Sequence, residues 1–161
     1  MFIDIHTHLR KTPGFVGNPW PGRPYPTLEE MLAEFDRIDV EAGVILPGVN
    51  VECSRQIQSV EEALEIAGLY PDRFIPFMNI DPRQLTNSSD APLGELVEYY
   101  KALGCRGVGE VCANLAFDDP RVDNLFAAVQ SAGLPLTFHV ADRIGGTYGL
   151  VDEPGLPKLG R

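Results

Sequence analysis

The sequence predicts an α/β protein of the TIM (β/α)8-barrel type, incomplete, with five strand-helix units. Three observations carry this expectation. Short apolar runs alternate with amphipathic helical patterns. After a longer first interval the runs recur at a spacing of about 30 residues, one strand-helix unit. Polar residues stand at the C-terminal end of nearly every run: His6 and His8, Asn50, Asn79 and Asp81, Glu110, and His139. A barrel gathers all its strand ends at one mouth, whereas an open sheet concentrates ligand chemistry at a single switch point. The alternative is an open five-stranded doubly wound parallel sheet. Length favours that alternative, because 161 residues complete such a sheet while a barrel takes about 250.

The elements follow in order. The first strand covers Phe2 to His6, and a Pro/Gly-rich loop occupies residues 12–26. Thr27-Leu28-Glu29-Glu30 is a capping box, in which the Thr27 hydroxyl takes an orphan amide and Glu30 reaches back. Leu28, Met31, Leu32, Phe35 and Ile38 continue at helical spacing, and Gly43 is the expected stop. Strands are expected at Val44 to Pro47, Phe74 to Ile80, Cys105 to Val111 and Pro135 to Val140. The second helix, marked by Val60, Ala63, Leu64 and Ala67, is expected to stop at Gly68. The third, marked by Leu93, Leu96, Val97 and Tyr100, should stop at Gly104. Asp119-Pro120 reads as a cap and a first-turn proline, opening a fourth helix that runs to Gly133. Pro154 to Arg161 reads as the start of a fifth, so the sequence is expected to be one domain, 1–161, holding five barrel units and lacking three.

Composition narrows the function. Apolar residues make up 44% and charged residues 22%, as in a globular protein. No apolar run approaches the roughly 20 residues of a membrane span, and Asp4 and His6 interrupt any secretory core. The expectation is a cytoplasmic protein with no membrane partner. Three cysteines without CxxC spacing read as free thiols. A net charge of −10 argues against nucleic acid as a partner.

His6 and His8 lie two apart, so an extended chain projects both from one face. Two neutral imidazoles so placed suit a divalent ion. The competing interpretation is one core histidine and one surface histidine. His139, the third and last histidine, also closes an apolar run, and Glu110 closes Gly107-Val108-Gly109-Glu110. The two glycines remove bulk beside the carboxylate, which would make room for a metal or a substrate; a loop-capping glutamate is the alternative. The loop after the histidine pair carries Phe15, Trp20, Arg23 and Tyr25, candidates for a substrate wall, with the arginine facing a substrate carboxylate. Asn79 and Arg143 are further candidates for substrate contact, and a plain packing role is equally open for the loops.

Asp4-Ile5-His6-Thr7-His8, with GVGE at the fourth strand and TFHV at the fifth, resembles the amidohydrolase superfamily. Within it the match is to the amidohydrolase-related branch of metal-dependent hydrolases and some decarboxylases. The resemblance runs the length of the chain, in order. It implies a metal site of His6, His8, Glu110 and His139, with zinc as the ion, or manganese or iron. It also implies a small-molecule substrate attacked by metal-activated water. A strand-six histidine and a strand-eight aspartate have no counterpart, which leaves Glu110, or a mobile aspartate, to substitute as the catalytic acid-base group. A metal-dependent decarboxylase is the nearest alternative, and a partial barrel with little turnover is another. Open sheet edges at both ends predict self-association.

Overall fold

The computed structural model describes residues 2–12, 25–52, 56–145 and 148–152. The elements are β1 (Phe2–Thr7), α1 (Leu28–Ile38), β2 (Val40–Ile45), α2 (Val60–Leu69), β3 (Phe74–Pro76), α3 (Leu93–Leu103), β4 (Val108–Val111), α4 (Pro120–Ala132), β5 (Leu136–Phe138), β6 (Val140–Ala141) and β7 (Leu150–Val151). Every ladder is parallel. β1 pairs with β2, and β2 with β3. A bridge between Met78 and Val108 joins β3 to β4, which pairs with β5. The first five strands therefore lie side by side in chain order.

That order selects between the two architectures. A doubly wound sheet reverses direction at a switch point, and here nothing reverses. The sheet is also curled. Three inter-strand steps of about 4.8 Å would put β1 and β4 roughly 14 Å apart in a flat sheet. Instead, a side chain ending β1 and one from β4 come within 3.3 Å. The fold is the barrel type, α/β with strand-helix units.

The two sheet faces separate by strand alternation. Ile45 and Phe74 point to the helix side and pack with Phe35, Ala63 and Ile66. Val44, Leu46 and Phe77, with Ile75, form a separate cluster on the inner face. The largest core joins α3 and α4 to β4 through Val97, Val108, Val111, Val122 and Leu125. β1 is different, with Phe2, Ile3 and Ile5 more than half exposed.

The helix starts match the sequence signals. Glu30 N–H donates to Thr27 Oγ1 at 3.3 Å, and Thr27 N–H donates to Glu30 Oε2 at 2.9 Å. Asp119 caps α4 by accepting from Arg121 N–H, with Pro120 in the first turn. Gly104 and Gly133 end α3 and α4 in the left-handed region.

Two stops differ. Helix α1 ends at Asp39, φ 59°, because a short acidic side chain tolerates the left-handed conformation. Gly43 lies inside β2, where a Cβ would sit 2.5 Å from Phe35 Cζ, so its smallness lets α1 pack close. Gly68 lies within α2, which ends at Tyr70. The strands also shift: β2 begins at Val40, the β3 ladder ends at Pro76, and β5 ends at Phe138. The short β6–β7 ladder, formed where residues 150–151 fold back beside the end of β5, was not expected. The fifth helix, from Pro154, lies outside the described residues. No helix among the described residues is long and apolar enough to cross a membrane. Cys105 and Cys112 are buried thiols outside any disulfide, and burial pushes Cys105 up to about 12. Cys53 lies outside the described residues.

Candidate metal centre

β1 delivers His6 and His8 to the same end of the sheet as Glu110 of β4. The two Nε2 atoms are 3.1 Å apart. Glu110 Oε2 lies 3.3 Å from His6 Nε2 and 3.6 Å from His8 Nε2. Ligand atoms at about 2.05 Å around a tetrahedral ion stand roughly 3.3 Å apart, so this spacing suits one ion. These three residues form a convergent group of donors.

The tautomer of His8 suits the same role. Its Nδ1 lies 3.0 Å from the Leu46 carbonyl, which can only accept. Nδ1 therefore carries the proton, and Nε2 presents a lone pair. Glu110 is 8% exposed. Burial alone would push its carboxyl up. The hydrogen bond from His139, and with the histidine pair protonated the hydrogen bond from His8 and the charges of His6 and His8, outweigh that and hold it at about 2. It is a carboxylate at neutral pH. His139 Nδ1 therefore donates to Glu110 Oε1, at 3.0 Å. His139 thus holds the oxygen turned away from the histidine pair, and does not join the three converging atoms.

Behind the site, two buried amides hold β4 to its neighbours. Asn79 Nδ2 donates to the Pro47 carbonyl at 2.7 Å and to the Glu110 carbonyl at 2.6 Å. Two carbonyl acceptors fix that orientation of the amide, and Asn79 Oδ1 has no partner. Asn50 Oδ1 accepts from Cys112 N–H at 2.7 Å, while its Nδ2 donates to Asp81 at 2.8 Å. Loops after β2 and β3 thus grip the segment 110–112.

A cavity of about 230 Å³ opens beside this cluster, lined by His8, Glu110, Tyr25, Arg10 and Leu46 among others. Tyr25, one of the expected wall residues, lies against the His8 ring, with centroids 5.8 Å apart and the planes tilted by 43°. Trp20 and Arg23 lie outside the described residues. Asn79 is placed behind Glu110, 1% exposed, with its amide on the backbone. Arg143 lies in an exposed turn whose carbonyl accepts from Asn114. The glycines at and just before β4 make room for protein. A Cβ on Gly107 would meet the Phe77 ring at 2.2 Å, and one on Gly109 would meet the Thr137 carbonyl oxygen at 2.4 Å. The space expected for a metal or substrate is filled by those neighbours.

Sequence reasoning passed over Arg10. Its signal was present, since His6, His8 and Arg10 continue the same two-residue spacing. Arg10 is 4% exposed, and its Nη2 donates to the Gln56 carbonyl.

Solved structures share this fold. 5-Carboxyvanillate decarboxylase from Sphingomonas paucimobilis superposes with a TM-score of 0.64 at 18% identity, over 89% of this chain and 53% of that one. 2,6-Dihydroxybenzoate decarboxylase from Rhizobium gives 0.58 at 19%, over 89% and 50%. A probable 2-pyrone-4,6-dicarboxylic acid hydrolase from Acinetobacter baumannii gives 0.54 at 16%, over 87% and 49%. The chain thus spans about half the length of these proteins. No curated protein matches it. The family model described as amidohydrolase matches residues 3–158, and with it the chain belongs to the amidohydrolase family.

Proposed function

We propose that the chain carries the metal-binding half of a metal-dependent hydrolase acting on a small molecule. The observation that supports this reading best is the convergence of His6 Nε2, His8 Nε2 and Glu110 Oε2 beside a cavity. A divalent ion held there, zinc by the donor set, would lower the pKa of a bound water and polarise a carbonyl oxygen. The residues do the rest. The Leu46 carbonyl locks the His8 tautomer and leaves the Nε2 lone pair among the converging donors, where it would hold the ion. His139 holds the Glu110 carboxylate in place, and Glu110 is the acidic group positioned to accept a proton in the cavity.

A metal-dependent decarboxylase of the same superfamily is the second reading. Glu110 is the one carboxylate lining the cavity among the described residues, and three histidines already engage it. Hydrolysis needs a base to take the water proton, whereas loss of carbon dioxide needs an acid to deliver a proton to the carbon it leaves, a role open to a protonated histidine of the cluster.

The test begins with metal content. Protein purified without chelator and loaded with zinc, manganese or iron should retain metal through desalting, and the His6→Ala/His8→Ala double variant should lose it. Equal content in both would end the site assignment. Product analysis on aromatic carboxylates and cyclic esters then separates the readings, through carbon dioxide release against ring opening.

A further inference from the structure

Asn50 and Asp81 follow apolar runs in the sequence, yet neither lines the cavity beside Glu110. Their place is one step behind it. The main-chain bonds between the β3 segment and β4 run from Arg106 N–H to Pro76, from Met78 N–H to Gly107 and from Gly109 N–H to Met78. Among the described residues none reaches past Gly109. Beyond it the Glu110 carbonyl and the Cys112 N–H are taken by side-chain amides instead, those of Asn79 and Asn50.

A primary amide can sit two ways round, and its shape does not choose between them. Asn50 is fully buried and must keep its oxygen on the Cys112 N–H. Asp81 selects that orientation. Asn50 Nδ2 donates to Asp81 Oδ2 at 2.8 Å, and a carboxylate only accepts. A reversed Asn50 would set its oxygen against the carboxylate and its NH2 group against the Cys112 N–H. Asp81 is itself braced. Its Oδ1 accepts from Arg83 N–H and from Arg83 Nε, both at 2.8 Å, and its Oδ2 accepts from Arg83 Nη2 at 2.6 Å. On its other side Arg83 Nη1 pairs with Glu52 Oε1 at 2.6 Å. Burial would raise the Asp81 carboxyl, but the hydrogen bonds from Arg83 and Asn50 outweigh it and hold it below the usual carboxylate range. It therefore stays an acceptor at neutral pH.

We infer that Asp81 is a positioning residue for the metal centre. Through Asn50 it fixes the Cys112 N–H, two residues beyond Glu110, and so holds the Glu110 carboxylate where it meets His6 and His8. Metal–ligand distances tolerate about 0.2 Å, so a small drift of this segment is enough to weaken the site. As a statement about metal this rests on the reading proposed above; as a statement about the chain it does not.

The test exchanges the two side chains. Asp81→Asn puts an amide NH2 group where only acceptors fit, and Asn50→Asp sets one carboxylate against another. The swap, Asn50→Asp with Asp81→Asn, restores complementarity with its polarity reversed: a carboxylate at position 50 accepts from Cys112 N–H and from the amide at position 81, whose oxygen accepts from Arg83. Zinc affinity of the full chain, by competition with a chelating dye, should fall about tenfold or more in each single variant and return to within about threefold in the swap. The visible spectrum of the cobalt(II) form at saturating metal should change in each single variant and match wild type in the swap, which a loss of stability alone would not produce. Exchange of the Cys112 amide hydrogen, followed by NMR in EDTA, needs no metal; it should quicken about tenfold or more in Asp81→Asn and slow again in the swap. Circular dichroism checks folding. Should a single variant fail to fold, the swap is compared with wild type alone, and a spectrum unlike wild type overturns the proposal. A folded Asp81→Asn variant with unchanged zinc affinity and spectrum overturns it, as does a swap no better than the single variants. If wild type retains no zinc while the exchange pattern appears, the metal reading falls and the hold on Cys112 stands. If zinc is retained and Asp81→Asn leaves the exchange unchanged, the positioning role falls and the metal reading stands.

Discussion

Gly107→Ala is the substitution whose consequence the packing defines most sharply. The added methyl would lie 2.2, 2.4 and 2.6 Å from Cζ, Cε2 and Cε1 of Phe77. Carbon atoms in contact prefer about 3.5–4.0 Å, so the ring must retreat by about 1.3 Å. It has little room, being 8% exposed and packed with Val44, Leu46 and Ile75. Overpacking of this kind costs about 1–3 kcal/mol. Phe77→Leu alone loses ring contacts and costs about 1–2 kcal/mol, but it also removes the three atoms that clash. In the double variant the penalties should therefore cancel in part, with a coupling of about 1 kcal/mol or more. The assay is urea unfolding in EDTA, followed by circular dichroism and tryptophan fluorescence, for wild type, both single variants and the double. If the two changes add within about 0.5 kcal/mol, the ring does not occupy the Gly107 space and the reasoning fails.

Three further outcomes are expected. The folded-state carboxyl of Glu110 lies at about 2 against an ordinary 4.5, so its stabilisation is present above pH 4.5 and lost as pH falls toward 2. The stability gap between metal-free wild type and Glu110→Gln, measured by urea titration, should narrow across that window; a constant gap would count against the histidine contacts. Asn79→Leu strips the donors from the Pro47 and Glu110 carbonyls and should cost about 1–3 kcal/mol with weakened zinc binding, checked by thermal melting and zinc titration. At the β1 edge we propose self-association through the apolar strand. Ile5, 73% exposed, carries no core packing, so Ile5→Lys should reduce the sedimentation coefficient without lowering the melting temperature. An unchanged coefficient, or a monomeric wild type, would refute the edge as the contact.

Local signals were legible and tertiary ones were not. The Thr27–Glu30 box, the Asp119-Pro120 start and the Gly104 and Gly133 stops depend on residues within one turn, and the structure reproduces them. Gly43 looked like another stop, but its role is set by the Phe35 ring, eight residues back and on a different element. Gly107 and Gly109 looked like space for a ligand, because nothing in their own stretch names Phe77 or Thr137 as occupants. His6, His8 and Glu110 could be singled out because strand ends share one mouth. The place of His139, on the far oxygen of Glu110, needed side-chain positions. Arg10 drew no reading at all, since its surroundings are made by Tyr25 and Gln56 from distant segments.

The sequential strand order has a consequence for how the site is assembled. From β2 to β5 each strand finds its partner in the strand made just before it, as when Leu46 N–H donates back to the Thr7 carbonyl at 3.0 Å. Order can spread in the direction of synthesis, with no strand waiting for one not yet made. The histidine pair leaves the ribosome first and holds its place on the growing edge. The carboxylate that completes the cluster arrives only with the fourth strand, so the convergent set of donors is assembled in one late step rather than gradually.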